Sequence, residues 1–195
     1  MLARIQGRGF QHALDVGCSE GQFCRMMQQL SIATVGIDAT VALLDQARTS
    51  DPAGDYRLAQ PETMDVVPGH YDLVVSYLSL IGIPDLSTAM TRMIATLCPG
   101  GTLLIANLNS LNTAGDWLTG SDGKRQFCLD QYLDERAQWS AWRGIRIRNW
   151  HRPLPAYTST LLEHGLLLRF CAEPTPIGGD PAAADRYTRV PSLQQ

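Results

Sequence analysis

The chain has 195 residues, 45% of them hydrophobic, with 16 basic against 19 acidic side chains and a net charge of -3. That length suits one domain with a sizeable core, and the acidic balance supplies no basic field for tracking phosphates, which excludes nucleic acid as the expected partner. Five cysteines, at 18, 24, 98, 128 and 171, form no C-x-x-C pair or Cys/His cluster, so no metal centre is expected and the thiols read as free.

Residues 1–11 contain no apolar core of a secretion signal, and no apolar run approaches the roughly 18 residues that span a bilayer. The expectation is a cytoplasmic chain without a membrane partner. The first expected element is a strand over 12–16, which runs into Gly17-Cys18-Ser19-Glu20-Gly21 and then a helix with Phe23, Met26, Met27 and Leu30 at helical spacing. Gly17 falls where strand turns into helix; without a Cβ it permits an unusual φ and lets a ligand lie against the backbone. Gly21, one turn on, brings the helix start close to the sheet. A second strand over 33–38 ends on Asp38, where a carboxylate can accept from both hydroxyls of a ribose. Asp15 is placed to hold a cation or an ordered water. The order is not the G-x-G-x-x-G of a dinucleotide site, and Asp15 and Glu20 would repel a pyrophosphate while suiting a ligand that ends in an amino group.

A helix from Thr40 places Val41, Leu44 and Ala47 on one face, and a short third strand at 57–59 precedes Gln60-Pro61-Glu62. An apolar strand over 71–77 and a helix near 86–97, stopped by Cys98-Pro99-Gly100, lead to a fifth strand over 102–106. This alternation predicts an α/β fold with a mostly parallel sheet covered on both faces. After Asn107 turn formers accumulate, and all four tryptophans lie between 117 and 150. Material inserted after the carboxyl end of a strand lies over the ligand crevice of such a sheet. Residues 108–152 are therefore expected to be a lid and substrate-binding insertion within a single domain spanning 1–195. Ile145-Arg146-Ile147-Arg148 alternates like a half-exposed strand, a helix from Pro155 ends at Gly165, and 166–170 reads as a further strand. Residues 174–184 are rich in Pro, Gly and Ala and read as loose chain.

Four motifs in order resemble those of the class I S-adenosylmethionine-dependent methyltransferases, of the bacterial small-molecule type. Asp15-Val-Gly17-Cys-Ser-Glu-Gly21 looks like their first motif and Val35-Gly-Ile-Asp38-Ala39 like their ribose-binding strand. Tyr71-Asp72-Leu73-Val74-Val75-Ser76 looks like the fourth strand, and Leu97-Cys98-Pro99-Gly100-Gly101-Thr102-Leu103-Leu104-Ile105 like the turn entering the fifth. The resemblance implies a doubly wound, Rossmann-like sheet of seven strands, the last antiparallel and cut short near Arg189-Val190-Pro191-Ser192-Leu193. It implies S-adenosylmethionine as cofactor, held by Asp15, Gly17, Cys18, Gly21, Asp38, Ala39 and Ser76. Gln60 and Pro61 would lie beside the adenine, where Gln60 replaces the usual acid and its amide oxygen can still accept from the exocyclic amine. Against the family both ends are short: either the fold is minimal and open, or the stated ends are not those of the working protein.

The reaction implied is transfer of a methyl group to an O, N or S nucleophile of a small molecule, without a metal. His151 is the candidate general base, with a ring bonded to backbone as the other reading. Trp142, Arg152 and Tyr157 are assigned to the acceptor. Arg152 would pair with a carboxylate or phosphate on it, though Arg143, Arg146, Arg148 and Arg152 also read as a solvated strand face. The insertion's aromatic rings would wall a pocket or form the lid's own core. Ser76-Tyr77-Leu78-Ser79 after the fourth strand lacks the N-P-P-Y-type tetrad of nucleic-acid methylation. A non-catalytic S-adenosylmethionine-binding partner subunit and an NAD-linked oxidoreductase are the alternatives, and a homodimer is left open.

Overall fold

A computed structural model describes residues 1–142 and 145–173, apart from the side chains of residues 140, 142, 145 and 146. Five strands form the central sheet: β1 (His12–Val16), β2 (Ala33–Asp38), β3 (Asp55–Leu58), β4 (Tyr71–Tyr77) and β5 (Leu97–Ala106). Their order is β3-β2-β1-β4-β5, with every neighbouring pair parallel. Parallel neighbours need crossovers rather than tight turns. Helices α1 (Gln22–Gln28), α2 (Val41–Ser50) and α3 (Leu86–Ala95) lie in the connections β1–β2, β2–β3 and β4–β5.

Successive side chains of a strand point to opposite faces, and the core divides accordingly. Leu14, Val16, Ile37 and Val74 pack with Leu86, Met90 and Met93 of α3. On the other face Ala13, Leu73 and Val75 pack with Met27 of α1, with Ile32, and with Ile5 from the chain ahead of β1. Helix α3 buries Leu86, Ala89, Met90 and Met93, an i, i+3, i+4, i+7 stripe. It starts cleanly because the Asp85 carboxylate accepts from the Thr88 backbone N–H at 3.0 Å, satisfying one of the first-turn donors.

Strand β5 begins at Leu97, five residues earlier than the sequence suggests. Leu97 pairs with Tyr71 and Thr102 with Leu73, so the register slips across Cys98-Pro99-Gly100-Gly101, where Gly100 takes φ 80°. Beyond β5 come the short helix α4 (Ser110–Ala114), an antiparallel hairpin of β6 (Gly115–Thr119) and β7 (Arg125–Leu129), and a second of β8 (Arg136–Trp142) and β9 (Ile145–His151). Neither hairpin joins the parallel sheet. Helix α5 (Leu154–Glu163) follows and buries Tyr157 in the α3 core.

The further strand expected at 166–170 is not seen: the segment has no ladder partner among the described residues, and Leu167 and Leu168 are exposed. Phe170 of this segment lies beneath the Arg4 guanidinium, 3.4 Å from the ring centroid. The loose segment expected at 174–184 and the antiparallel strand expected near 189–193 lie outside the described residues, so the sheet seen has five strands where seven were expected. Among the described residues no helix is long and apolar enough to cross a membrane.

Candidate functional site

Strand order reverses between β1 and β4, so the chains leaving their carboxyl ends diverge to opposite sides and leave a crevice. A cleft of about 690 Å³ opens there, lined by Asp15, Gly17, Cys18, Asp38, Ala39 and Pro61 together with residues following β4. That volume lies within the ~300–1,000 Å³ usual for small-molecule sites.

Gly17 is required twice over. Its φ of 78° belongs to the left-handed region, and a Cβ would meet Ser79 Cβ at 2.2 Å. Ser79 Oγ in turn donates to the Val16 carbonyl at 2.6 Å and lies 2.6 Å from Ser76 Oγ, so the exits of β1 and β4 are stitched together across the cleft floor. The N–H groups of Gly17 and Cys18 both donate to the Ile37 carbonyl, at 2.8 and 2.9 Å, which ties the loop to β2. Gly21 is the N-cap of α1 with φ 74°, and a Cβ there would strike the Tyr56 ring at 2.6 Å. It brings α1 close to β3 but does not itself line the cleft.

Asp38 accepts from Ser19 N at Oδ2 (2.9 Å) and from Thr40 N at Oδ1 (2.8 Å). Each oxygen keeps a further lone pair, so the half-buried carboxylate is oriented by the protein and still free to accept hydroxyls. Asp15 is 1% exposed, its Oδ2 accepting from the Cys24 thiol at 3.3 Å while Oδ1 has no partner. Burial raises its carboxyl from 3.8 to about 7; the Cys24 hydrogen bond pulls it down and the Asp38 charge pushes it up. The Cys18 thiol beside it and its own burial raise the Cys24 thiol, which stays protonated and donates. A buried acceptor left unpaired costs about 1–3 kcal/mol. A ligand ammonium would supply the missing donor. On the rim, the hydrogen bond from Ser19 Oγ to Glu20, 2.5 Å long, is the main reason the Glu20 carboxyl sits below its ordinary range, so this rim is anionic.

The other expected contacts fall differently. Gln60 is exposed and away from the cleft, its carbonyl accepting from Thr63 N at 3.0 Å in a turn, while Pro61 lines the cleft. Ser76 is fully buried behind Ser79. His151 is 0% exposed and away from the cleft lining. Its Nε2 lies 2.9 Å from the Tyr132 carbonyl and its Nδ1 2.7 Å from Thr113 Oγ1. A carbonyl only accepts, so Nε2 carries a proton, while Nδ1 lies within hydrogen-bond reach of the Thr113 hydroxyl; both ring nitrogens are engaged. Arg152 is 1% exposed and bonded to Glu135 and to backbone carbonyls, and Tyr157 is core. Trp142 ends β8, and its side chain lies outside the described residues.

The sequence reading missed Tyr77, Leu78 and Ser79, which line the cleft. Tyr77 stacks on Phe23 of α1 with ring centroids 5.6 Å apart and planes 13° from parallel. The signal was available for Tyr77, the last residue of an apolar strand in a doubly wound sheet. None existed for Ser79, whose place depends on the left-handed Leu78 (φ 56°). Among the described residues no group of three or more His, Cys, Asp or Glu could hold a metal ion.

Residues 14–105 match the family model described as a methyltransferase domain. Among curated proteins, the malonyl-[acyl-carrier protein] O-methyltransferase of Salmonella typhimurium is 26% identical over 151 residues, 75% of this chain and 59% of that protein. The trans-aconitate 2-methyltransferase of Delftia acidovorans is 33% identical over 109 residues, 54% of this chain and 41% of that protein. The chain thus spans less than two thirds of the length of these relatives. Among solved structures, an S-adenosylmethionine-dependent methyltransferase from Mesorhizobium loti superposes with a TM-score of 0.81 at 22% identity, over 96% of this chain and 89% of that one. At that identity the likeness concerns the fold.

Proposed function

We propose that this chain is a class I S-adenosylmethionine-dependent methyltransferase, with S-adenosylmethionine as cofactor, and that it transfers the methyl group to a nucleophile of a small molecule. The observation that carries the reading is Asp15: a buried carboxyl in the cleft whose Oδ1 has no partner, one strand away from the oriented Asp38 carboxylate. Bound there, the cofactor supplies a methyl group already activated by a sulfonium. The protein's part is to hold the nucleophile in line and to exclude water. In this reading Asp15 takes the donor's ammonium and Asp38 its ribose hydroxyls. Ala39 and Pro61 flank the base, and the Phe23–Tyr77 stack forms an apolar wall.

The acceptor reading differs from the one drawn from sequence. We assign His151 to structure, because an imidazole with both nitrogens engaged offers no lone pair for abstracting a proton. We remove Arg152 and Tyr157 from the acceptor pocket, since both are buried away from the cleft. A site without a histidine base suits an acceptor that is ionised near neutral pH, above all a carboxylate. The malonyl and trans-aconitate of the two relatives' names favour the same class and an oxygen nucleophile. In this proposal 1–195 is one domain and 108–152 its lid and acceptor-binding insertion.

Isothermal titration with S-adenosylhomocysteine tests the donor site. Binding at roughly micromolar to millimolar concentration is expected, with NADH giving no heat; silence at millimolar S-adenosylhomocysteine would overturn the proposal. Turnover is then sought over a panel of small acids, phenols and amines, with methyl esters as the expected product.

A further inference from the structure

We propose that Arg152 is a positioning residue of the donor cleft: it touches no ligand, but it fixes the 80–84 segment that walls the cleft and so couples the insertion after β5 to donor affinity. The inference rests on the donor reading above. After β4 the chain makes a single 3-10 turn over Leu80–Gly82, closed by Gly82 N donating to the Ser79 carbonyl at 2.9 Å, and then reaches Asp85, the cap of α3. Gly82 and Ile83 of this short connection line the cleft next to Leu78 and Ser79. Its outward carbonyls converge on one guanidinium. Arg152 donates from Nη1 to Leu80 O at 3.3 Å and from Nη2 to Ile83 O at 2.7 Å and Pro84 O at 2.8 Å. Its Nε donates to Glu135 Oε2 at 3.1 Å, and the Trp150 ring lies 5.0 Å from its Cζ.

The placement is expensive unless geometry is its purpose. A fully buried cation facing one half-exposed carboxylate gains little net stability over an apolar side chain of the same size. A rigid planar fork, however, holds several acceptors in one fixed arrangement, and an ammonium cannot reproduce it. Position 152 directly follows β9 and position 82 lines the cleft, so the guanidinium is the rivet between the two. Its neighbour His151 provides an internal contrast. That ring pins Thr113 of α4 and the Tyr132 carbonyl, neither of which lines the cleft.

The test uses the full chain and S-adenosylhomocysteine as the probe, with thermal unfolding recorded alongside calorimetric affinity. Arg152→Lys is expected to fold and to bind about tenfold more weakly, within the ~100-fold that a 1 Å displacement can cost. Thr113→Val, which breaks the neighbouring tether, is expected to lower the unfolding temperature yet keep the Kd within about twofold. Glu135→Gln, which spares all three carbonyl bonds, is expected to keep it too. A folded Arg152→Lys with unchanged Kd overturns the inference, as does Thr113→Val weakening the Kd as much as Arg152→Lys. If Arg152→Lys does not fold, Pro84→Gly decides: it loosens the same connection without touching the guanidinium, so a tenfold loss supports the inference and an unchanged Kd overturns it. A parent chain that fails to bind the probe overturns the donor reading itself, a separate outcome.

Discussion

Asp15 carries a carboxyl that burial has moved from 3.8 to about 7, and this has two measurable consequences. The folded state holds the proton more tightly than the unfolded chain. The resulting stability is fully present below about pH 4 and is lost as the pH rises through 7. Asp15→Asn should remove that slope, unfolding at a higher temperature than the parent at pH 8 and with a smaller difference at pH 5. An ammonium beside the carboxyl favours the ionised form, so donor binding at pH 6.5 should release a fraction of a proton, and affinity should rise from pH 6 to 8. Calorimetry in two buffers of different ionisation heat checks this; no proton release would rule out the Asp15–ammonium pairing. The places of Asp15, Gly17 and Asp38 in the cleft lining were legible in the sequence because they follow from local order around one strand-to-helix turn. His151 and Arg152 were legible only as polar residues near a crevice. What decides between ligand and tether is the partner, and Arg152 finds Leu80 at a separation of 72 residues. Gln60 differs in the opposite way: its loop was located, since Pro61 lines the cleft, but Gln60 itself is exposed and outside the lining.

At the scale of elements, the β6–β7 hairpin is a self-contained unit. Trp117 packs edge-on against Phe127 with ring centroids 5.5 Å apart, and Gly115 leaves room for that ring, which a Cβ would meet at 2.5 Å. Its two ends meet, Asp130 N donating to the Ala114 carbonyl at 3.0 Å, and Arg136 holds both through the Ala114 and Asp130 carbonyls at 3.3 and 3.1 Å. Replacing residues 116–128 by a tight glycine turn should therefore leave S-adenosylhomocysteine affinity within about threefold, since a surface hairpin carries little of the core. Turnover of the acceptor identified for the parent should fall by ten times or more, a loss the lid reading demands; retained turnover would remove this hairpin from the acceptor site. The parallel strands were readable because a strand buried on both faces is a short continuous apolar run bounded by turns. The same rule misled at 166–170, where Leu166-Leu167-Leu168 is apolar but pairs with no strand among the described residues. It was silent on the first residues of β5, which pair through a slipped register that pattern cannot express.

Across the whole molecule, the donor cleft is made of pieces far apart in sequence. Met1 reaches its rim, Asp15 leaves β1, Asp38 leaves β2, and Ser79 follows β4. The β1–β4 pairing joins Ala13 to Leu73 and Asp15 to Val75, across about sixty residues. The segment 108–152 is different, because its hairpins pair residues no more than 15 positions apart, and all four tryptophans lie within it. The stitch from Ser79 to the Val16 carbonyl, described as a feature of the cleft floor, thereby acquires a place in time. Contacts that close long loops form slowly, whereas short hairpins close in about microseconds. On refolding from denaturant, tryptophan emission should begin to recover before the chain can bind S-adenosylhomocysteine, and the lag between the two signals would time the closing of β4 against β1.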